Sequence, residues 1–480
     1  MPPSVPLPGA PSVPPFRHDG YELTGNGRRL VCRYSLGDRS FTEEISFEPQ
    51  PQPQAPAQAA APDPEAADAV ARIVYLLAGV SYYKTGAPGT VDLGSVATTA
   101  DERRFLRRFY VEGLGEFAHR NGLDLSRLEI VGPDITRRRP VRWSPDGSRP
   151  LVPFGGGIDS IVTVESVRRS HPGASLFVVS GDGDRFEAIE QAARVAGLPV
   201  VRASRRIDPL VLRSAELGFL NGHVPVTGIL SAIAVMAAVL GGHGAVVMSN
   251  ERSASAATLV TGGRAVNHQW SKSLEFETAF RELLATASEP PVEYFSFLRA
   301  RSELWVAERF AELGRYHPAF RSCNRAFTID PARRLDRWCG TCDKCCFVDL
   351  VLSPFLPPDQ LAAIFSGREP LADGGLADRF RALCGAGPLA KPFECVGDET
   401  ECRTAAVLAA ARPDRAAYPM LQALAAEARA TPGGGAGDPG TSGAAHPLLH
   451  ASGPDFVPPA YADRADGPPA APAGAARTAT

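Results

Sequence analysis

The chain has 480 residues, of which 44% are apolar, enough for a substantial core spread over two to four domains. Its formal net charge of −3 argues against a nucleic-acid-binding protein that relies on a broad basic surface. The first residues lack the basic and apolar regions of a signal peptide. Nine cysteines, four of them close together near Cys339, favour a metal site in a reducing compartment over a disulfide framework. We therefore expect a cytoplasmic protein without nucleic-acid or membrane partners.

The N-terminal third is predicted to be an α+β region. Residues 1–16 are rich in proline and are expected to be disordered. Residues 17–145 contain two strand-like runs before position 48, a Pro/Gln/Ala-rich linker at 48–68, and then two helical patterns. The second helical pattern places Phe105, Phe109 and Phe117 mostly on one face, as expected for a helix that packs on a core.

Residues 146–353 alternate strand-like and helical segments, which predicts an α/β fold with a doubly wound parallel sheet. The predicted strands are LVPF, ASLFVVS, LPVVRAS and GAVVMSN. The apolar run at 224–242 contains Pro, Thr, Ser and Gly, so we interpret it as a buried helix and not as a membrane span. Ligands of such sheets bind beyond the carboxyl ends of the strands, where segments 155–160, 181–184 and 250–253 are expected.

The remainder of the chain is predicted to be helical and then disordered. Residues 354–430 carry helical patterns and form a predicted C-terminal helical region. Residues 431–480 are rich in Gly, Pro and Ala and show no apolar period, so we expect a disordered tail.

The sequence FGGGIDS, at 154–160, has the composition of an anion-binding loop. Gly155, Gly156 and Gly157 follow a predicted strand, and Asp159 and Ser160 fall in the first turn of the next helix. Glycines let backbone N–H groups approach a ligand closely, and a helix N-terminus attracts anions. The lysine of the Walker-type loop is missing, so Mg²⁺ held with the help of Asp159, together with other residues, would have to supply the positive charge. The alternative is a glycine-rich turn that binds nothing.

This loop resembles the [SA]-G-G-x-D-S loop of the PP-loop ATP pyrophosphatase superfamily. The resemblance implies that ATP is cleaved between its α and β phosphates, that AMP goes to a substrate oxygen, and that the loop holds pyrophosphate. It also implies nucleotide contacts for Gly155, Gly156, Gly157, Asp159 and Ser160. One departure stands out: Gly155 occupies the position where the superfamily usually has Ser, which removes one hydroxyl contact to pyrophosphate.

Further segments, between about residues 70 and 410, resemble the UDP-N-acetylmuramoyl-L-alanyl-L-glutamate epimerase family (MurL). They are LLAGVSYYKTGAP at 76–88, SNERSAS at 249–255, VNHQWSKSLEFE at 266–277, SCNRAF at 322–327, WCGTCDKCCFVDLVLSPF at 338–355 and KPFECVGDETE at 391–401. The resemblance implies ATP- and Mg²⁺-dependent inversion of the terminal L-Glu of UDP-MurNAc-L-Ala-L-Glu in peptidoglycan precursor synthesis. An acyl adenylate would form, AMP and pyrophosphate would be released, and neither pyridoxal phosphate nor a redox cofactor would be needed.

The residue that moves the substrate proton is left open. His268, Lys272 and Glu251 are the candidates, because His and carboxylates carry out most proton transfers. Each has an alternative role: Glu251 as a ligand of ribose or Mg²⁺, His268 as an ordinary hydrogen-bonded histidine, and Lys272 as a counter-charge for phosphate. Asn250 is grouped with the nucleotide-binding residues.

Four cysteines have the spacing of a zinc site. Cys339, Cys342 and Cys345 form two overlapping C-x2-C units, and Cys323 lies upstream. Zn²⁺ takes four thiolates in tetrahedral geometry, and the 7-cyano-7-deazaguanine synthases carry a similar cluster. Buried free cysteines, a redox pair or a catalytic cysteine are the alternatives.

Two other functions compete with an epimerase. A PP-loop ligase or thiolase, of the 7-cyano-7-deazaguanine synthase or tRNA-thiolation type, would need an ammonia source, a sulfur-carrying cysteine or a basic tRNA-binding domain. We recognise neither a glutaminase pattern nor a basic stripe. The third possibility is an inert nucleotide-binding module, which the intact Asp159–Ser160 pair disfavours. The sequence carries no prediction of the oligomeric state.

Overall fold

The computed structural model describes residues 14–49, 63–261, 263–328, 330–387, 389–431 and 446–462. Its strands are β1 Phe16–Thr24, β2 Arg29–Leu36, β3 Arg39–Phe47, β4 Thr90–Asp92, β5 Glu129–Val131, β6 Val141–Arg142, β7 Asp146–Pro153, β8 Ser175–Ser180, β9 Val200–Arg206, β10 His243–Met248, β11 Leu259–Thr261, β12 Arg264–Val266, β13 Ser288–Glu289 and β14 Glu293–Ser296.

The helices alternate with these strands in the centre of the chain and dominate its C-terminal part. They are α1 Pro64–Ala78, α2 Val80–Tyr83, α3 Ala100–Gly113, α4 Gly115–Asn121, α5 Ile158–Ser170, α6 Glu187–Ala196, α7 Pro209–Leu212, α8 Val226–Gly241, α9 Leu274–Ala287, α10 Glu303–Ala311, α11 Asp343–Leu352, α12 Pro358–Ile364, α13 Ala377–Leu383, α14 Glu399–Ala410, α15 Pro419–Ala430 and α16 Pro459–Ala462.

A ten-stranded sheet organises the fold, with the strand order β14-β10-β7-β8-β9-β3-β2-β1-β4-β5. The five strands from β14 to β9 are parallel, which confirms the α/β class and the parallel central sheet. The strands β1 to β3 pair antiparallel with one another, and β3 pairs antiparallel with β9. The N-terminal strands therefore extend the central sheet and do not form a sheet of their own.

The order of the central strands creates a topological switch point between β7 and β10. The chain runs outward from β7 through β8 to β9, and then returns through α8 to β10 on the other side of β7. Connections that leave neighbouring parallel strands in opposite directions open a crevice at the carboxyl ends of those strands. The loops after β7 and β10 meet there.

Two apolar cores cover the two faces of the sheet. Successive residues of a strand point to opposite faces, so Leu151 belongs to one core and Val152 to the other. Val246 and Val247 of β10 divide in the same way. Because both faces of these strands are buried, their sequences are almost continuously apolar.

Helix α8 confirms the prediction of a buried helix at 224–242. Its residues from Ile229 to Leu240 are almost all buried, and its serine, Ser231, donates its hydroxyl to Thr227 O at 2.8 Å. No helix in the described ranges is long and apolar enough to cross a membrane.

The structure shortens two segments that composition predicted to be unstructured, residues 1–16 and the linker at 48–68. Strand β1 begins at the buried Phe16, and residues 1–13 lie outside the described residues. Helix α1 begins at Pro64 and is capped by the Asp63 carboxylate, so the linker does not extend to 68. Its positions 50–62 are likewise not described. Proline at the first helical position suits a helix start, which a composition-based boundary overlooks.

The prediction of a disordered tail at 431–480 is wrong for residues 446–462. Leu449 and Tyr461 are buried in the second core, and the Tyr461 ring stacks on His171 with a centroid distance of 4.0 Å. Isolated anchoring side chains of this kind leave no periodic apolar pattern, so the sequence gives no signal for them. Residues 432–445 and 463–480 lie outside the described residues, and the other domain boundaries stay predictions.

Candidate active site

A cleft of about 650 Å³ opens at the switch point, at the carboxyl ends of β7 and β10. We call it the central cleft. Its wall combines the loop after β7, the segment after β10, and side chains from the C-terminal part of the chain. The lining residues used below are Gly155, Gly157, Asp159, Ser160, Asn250, Glu251, Lys272, Glu303, Arg321, Ser322, Lys344 and Cys395.

The three loop glycines have different roles. Gly155 faces open space, since a Cβ there would meet no atom within 4 Å. Gly156 has a φ of +73°, and its Cβ would lie 2.9 Å from Ala188 O, so only glycine fits without strain. A Cβ on Gly157 would lie 2.8 Å from Ser322 Oγ. The loop is therefore closely packed on the side away from the cleft and open at Gly155.

Asp159 and Ser160 stand in the first turn of α5, as predicted. Ser160 Oγ donates to Gly157 O at 3.0 Å, which closes the loop on the helix. Asp159 Oδ1 is buried without a hydrogen-bond partner. Burial and the nearby Glu251 carboxylate raise the pKa of Asp159 to about 7. Asp159 Oδ1 therefore retains an unused capacity to accept a hydrogen bond or to bind a cation.

Charged side chains of both signs face one another across the cleft. The acidic members are Asp159, Glu251 and Glu303, and the basic members include Lys272 and Lys344. Burial, followed by the charges of Asp159 and Glu251, raises the pKa of Glu303 well above its ordinary value. Burial and the neighbouring carboxylates therefore favour the neutral form of Glu303.

A buried network positions the segment after β10. Ser296 Oγ donates to Asn250 O and accepts from Asn250 N, both at 2.6 Å. Glu277 accepts from Ser296 N at 2.9 Å and from Arg299 Nε at 2.8 Å. Arg299 in turn donates to Glu251 O at 3.0 Å. These contacts fix the backbone that presents Asn250 and Glu251 to the cleft.

Lys272 and Cys395 are in direct contact at the edge of the cleft. The distance from Lys272 Nζ to Cys395 Sγ is 3.1 Å. Burial alone would lower the pKa of Lys272, but the negative charges of Cys395, Glu251 and Asp159 outweigh burial and raise it well above its ordinary value. Lys272 is therefore a cation throughout the physiological range.

His268 lies behind this pair and is not part of the cleft wall. Its ring Nδ1 is hydrogen-bonded to Glu116. Although burial lowers the pKa of His268, its interactions with Cys395 and Glu116 dominate and raise the pKa to about 9. The His223 ring lies 4.2 Å from the His268 ring. His268, which was predicted as a candidate for proton transfer, therefore lies outside the cleft wall.

The four predicted cysteine ligands converge. The sulfur atoms of Cys323, Cys339, Cys342 and Cys345 all lie within 4.8 Å of one another. Cys345 Sγ is 3.4 Å from Cys342 Sγ and 3.6 Å from Cys339 Sγ. Four sulfurs around one tetrahedral Zn²⁺, with Zn–S bonds of 2.3 Å, would be separated by about 3.8 Å. The thiol geometry thus fits a structural zinc site.

The cleft residues that sequence reasoning missed include Glu303, Lys344 and Cys395. Lys344 is one of only four lysines in the chain, and that scarcity was the available signal. Cys395 stands in the segment 391–401, which carried the family resemblance, but it lies far in sequence from the C-x2-C cluster. Glu303 begins α10 and reads as an ordinary helix-start residue.

A switch-point cleft that joins a glycine loop to acidic and basic side chains is typical of α/β enzymes. Comparison with protein families narrows the class. The MurL N-terminal domain model matches residues 9–297, and the MurL C-terminal domain model matches residues 319–436. The chain belongs to the MurL epimerase family and is an isomerase.

Curated relatives agree with this assignment. Three proteins named UDP-N-acetyl-alpha-D-muramoyl-L-alanyl-L-glutamate epimerase, from Salinispora tropica, Xanthomonas oryzae pv. oryzae and a Micromonospora species, are each 39% identical to the chain. The matches cover 82%, 73% and 82% of this chain and 83%, 76% and 85% of those proteins, respectively. No solved structure matches the chain. The family predicted from the sequence is confirmed, and an inert binding module is excluded.

Proposed function

We propose that the chain inverts the terminal L-Glu of UDP-MurNAc-L-Ala-L-Glu to D-Glu, through an acyl adenylate made from ATP, in peptidoglycan precursor synthesis. The observation that carries the proposal is the switch-point glycine loop in a chain that is 39% identical to proteins named as epimerases of this substrate. The partner is a small molecule, a nucleotide-linked muramoyl dipeptide.

Adenylation would make the α-hydrogen of the terminal glutamate more acidic. The α-hydrogen beside a free carboxylate is very weakly acidic, because its removal would create a dianion. Conversion of the carboxylate to an acyl phosphate removes one of those charges, and cationic groups can stabilise the resulting enolate. Lys272 and Lys344 supply such charge at the cleft wall. Protonation on the opposite face then inverts the centre, and hydrolysis releases AMP.

The glycine loop is the element we assign to the leaving pyrophosphate. Its backbone N–H groups and the N-terminus of α5 suit an anion, and Gly155 leaves the approach open. On this assignment the loop is of the PP-loop type, and Gly155, Gly156, Gly157, Ser160 and Asn250 contact the nucleotide.

The site fits Mg²⁺, because Asp159 Oδ1 is buried without a partner and faces a cleft that would hold phosphates. When bound, Mg²⁺ would neutralise phosphate charge. Asp159 would hold it, and Glu251 stands close enough to Asp159 to raise its pKa. The contacts of Arg299 and Ser296 fix the backbone that carries Glu251 and Asn250.

The cysteine cluster fits Zn²⁺ in a structural role. Ser322 and Lys344 line the cleft, and each directly precedes a cysteine of the cluster, Cys323 and Cys345. Four-thiolate sites are closed to further ligands, so we assign the metal to scaffolding and not to the reaction. It would hold the cleft wall at these two positions.

One assay tests the proposed function. The protein is incubated with UDP-MurNAc-L-Ala-L-Glu, ATP and Mg²⁺ in D₂O, with parallel reactions that omit either ATP or the dipeptide. We expect AMP and D-Glu carrying deuterium at the α-carbon only in the complete reaction. AMP without deuterium would favour a ligase and contradict the proposal. Absence of AMP would overturn the adenylation mechanism.

A further inference from the structure

Two of the three residues predicted as candidates for proton transfer do not suit the role of the base. Lys272 has a raised pKa and stays protonated, and His268, with a pKa of about 9, is protonated at neutral pH. Neither can accept a proton in its resting state. Glu251 faces Asp159, in the part of the cleft assigned to the nucleotide.

Cys395 lies in the central cleft beside a lysine. Its side chain lines the cleft and its sulfur is 3.1 Å from Lys272 Nζ. A neighbouring cation stabilises a thiolate. Burial opposes ionisation, but Lys272, His268 and Lys344 together lower the pKa of Cys395 to about 6. The thiolate is therefore the resting form at neutral pH.

Glu116 completes the arrangement. It is a buried carboxylate bonded to His268 Nδ1, so it fixes the orientation of the imidazolium. A charged group oriented by a second, buried group is typical of catalytic constellations, because reorientation costs nothing during the reaction. Cys384 differs, because burial raises the pKa of its thiol to about 12.

Resting on the proposed function, we propose that Cys395 is the catalytic base that removes the α-proton of the activated glutamyl group. The Cα–H bond breaks, the proton forms an S–H bond with Cys395 Sγ, and the electron pair passes into the enolate of the adenylated carboxyl group. A new Cα–H bond forms on the opposite face with a proton from a neutral carboxyl group of the cleft, which we assign to Glu303. Exchange with solvent resets both groups.

A thiolate beside an activated acyl group has one competing reaction, which is attack on the acyl carbon to give a thioester. Stabilisation by Lys272 and His268 works against this, because thiolate nucleophilicity falls as the thiol pKa falls. A thioester intermediate would contradict the assignment of Cys395 as a base.

The test separates proton removal from adenylation. Cys395→Ala and Cys395→Ser are compared with the wild type and with Cys384→Ala, a buried thiol outside the cleft. Adenylation is followed as substrate-dependent exchange of pyrophosphate into ATP, and proton removal as deuterium entry from D₂O. In both Cys395 variants we expect deuterium entry to fall about 10²–10⁴-fold while pyrophosphate exchange persists. Cys384→Ala should retain both reactions.

The outcomes distinguish the two proposals. If the wild type shows no pyrophosphate exchange, the proposed function fails and this assignment fails with it. If the wild type is active and Cys395→Ala incorporates deuterium at the wild-type rate, only the assignment of Cys395 fails. A hydroxylamine-sensitive adduct of labelled substrate on Cys395 would also overturn it.

A second measurement uses the wild-type protein and does not depend on the variants' folding. Iodoacetamide should alkylate Cys395, identified by peptide mass spectrometry, with a rate whose midpoint lies near pH 6. ATP with substrate should slow the alkylation. Complete alkylation should stop deuterium entry, and unchanged entry after complete alkylation would overturn the assignment.

Discussion

Arg299 and Glu277 form a buried ion pair, with Nε and Oε2 separated by 2.8 Å and each side chain only 2% exposed. The remaining donors of the guanidinium reach two cleft-lining residues: Nη1 contacts Glu251 O at 3.0 Å, and Nη2 contacts Lys272 O at 2.6 Å. One planar cation thus joins two separate loops of the candidate site. Arg is suited to this role because its donors have a fixed geometry.

Arg299→Met should destabilise the protein strongly and impair the site. Removal of one partner leaves Glu277 as an uncompensated buried charge, a loss of about 3–5 kcal/mol in the free energy of unfolding. Urea denaturation measures this loss. The control is Arg381→Met, since Arg381 pairs with Glu427 at the surface, where both side chains are more than 30% exposed. That variant should lose much less stability than Arg299→Met, because exposed ion pairs contribute little. Equal losses in the two variants would contradict the interpretation.

Two substitutions in the glycine loop should have opposite outcomes. Gly155→Ser places its side chain in open space and should leave stability and substrate-dependent AMP formation intact. Gly156→Ser combines a φ of +73° with a Cβ 2.9 Å from Ala188 O, so it should lose about 1–3 kcal/mol of stability and most of the activity. Thermal melting and AMP release check both variants. A damaged Gly155→Ser protein would show that the loop is not open as described.

The residues of this loop also show how far sequence reasoning reaches. Local signals such as the glycines, Asp159 and the strand–helix alternation sufficed for the central sheet and for the loop at its carboxyl edge. Cys395 could not be placed in this way, because its contact with Lys272 joins positions 123 residues apart. The role of Arg299 could not be predicted from the sequence either, since it depends on contacts with backbone oxygens of two other loops. Contacts of this kind arise from tertiary packing and leave no periodicity in the chain.

The pH dependence of Cys395 alkylation should change in His268→Gln. Between about pH 6 and pH 9 the Cys395 thiolate and the His268 imidazolium coexist. The thiol pKa is depressed, so the thiolate is lost as the pH falls through 6; the histidine pKa is raised, so the cation is lost as the pH rises through 9. Loss of the His268 cation should move the alkylation midpoint upward, toward the ordinary thiol value.

The control for this shift is His317→Gln. His317 is hydrogen-bonded to Phe310 O and lies outside the cleft wall, so the alkylation midpoint should stay near 6. An unshifted midpoint in His268→Gln would mean that Lys272 and Lys344 stabilise the thiolate without His268.

Asp159→Ala and Ser160→Ala should abolish pyrophosphate release while the protein remains folded. Asp159 Oδ1 has no partner to lose, and Ser160 Oγ gives up a single hydrogen bond to Gly157 O, worth about 1 kcal/mol. Stability should therefore change little, whereas the contacts assigned to Mg²⁺ and pyrophosphate disappear. Circular dichroism with an AMP assay checks both points. Normal turnover in either variant would refute the assignment of the loop.

The cysteine cluster should contain one equivalent of zinc, which elemental analysis of the purified protein measures. Cys342→Ser removes one of the four thiols, and we expect zinc to fall below half an equivalent and the melting temperature to drop. Pyrophosphate exchange should fall as well, because Ser322 and Lys344 reach the cleft from positions beside Cys323 and Cys345. Cys384→Ala, outside the cluster, should keep its zinc. Less than half an equivalent of zinc in the wild type would count against the site. Wild-type pyrophosphate exchange in zinc-free Cys342→Ser would mean that the geometry of the cleft does not depend on the metal.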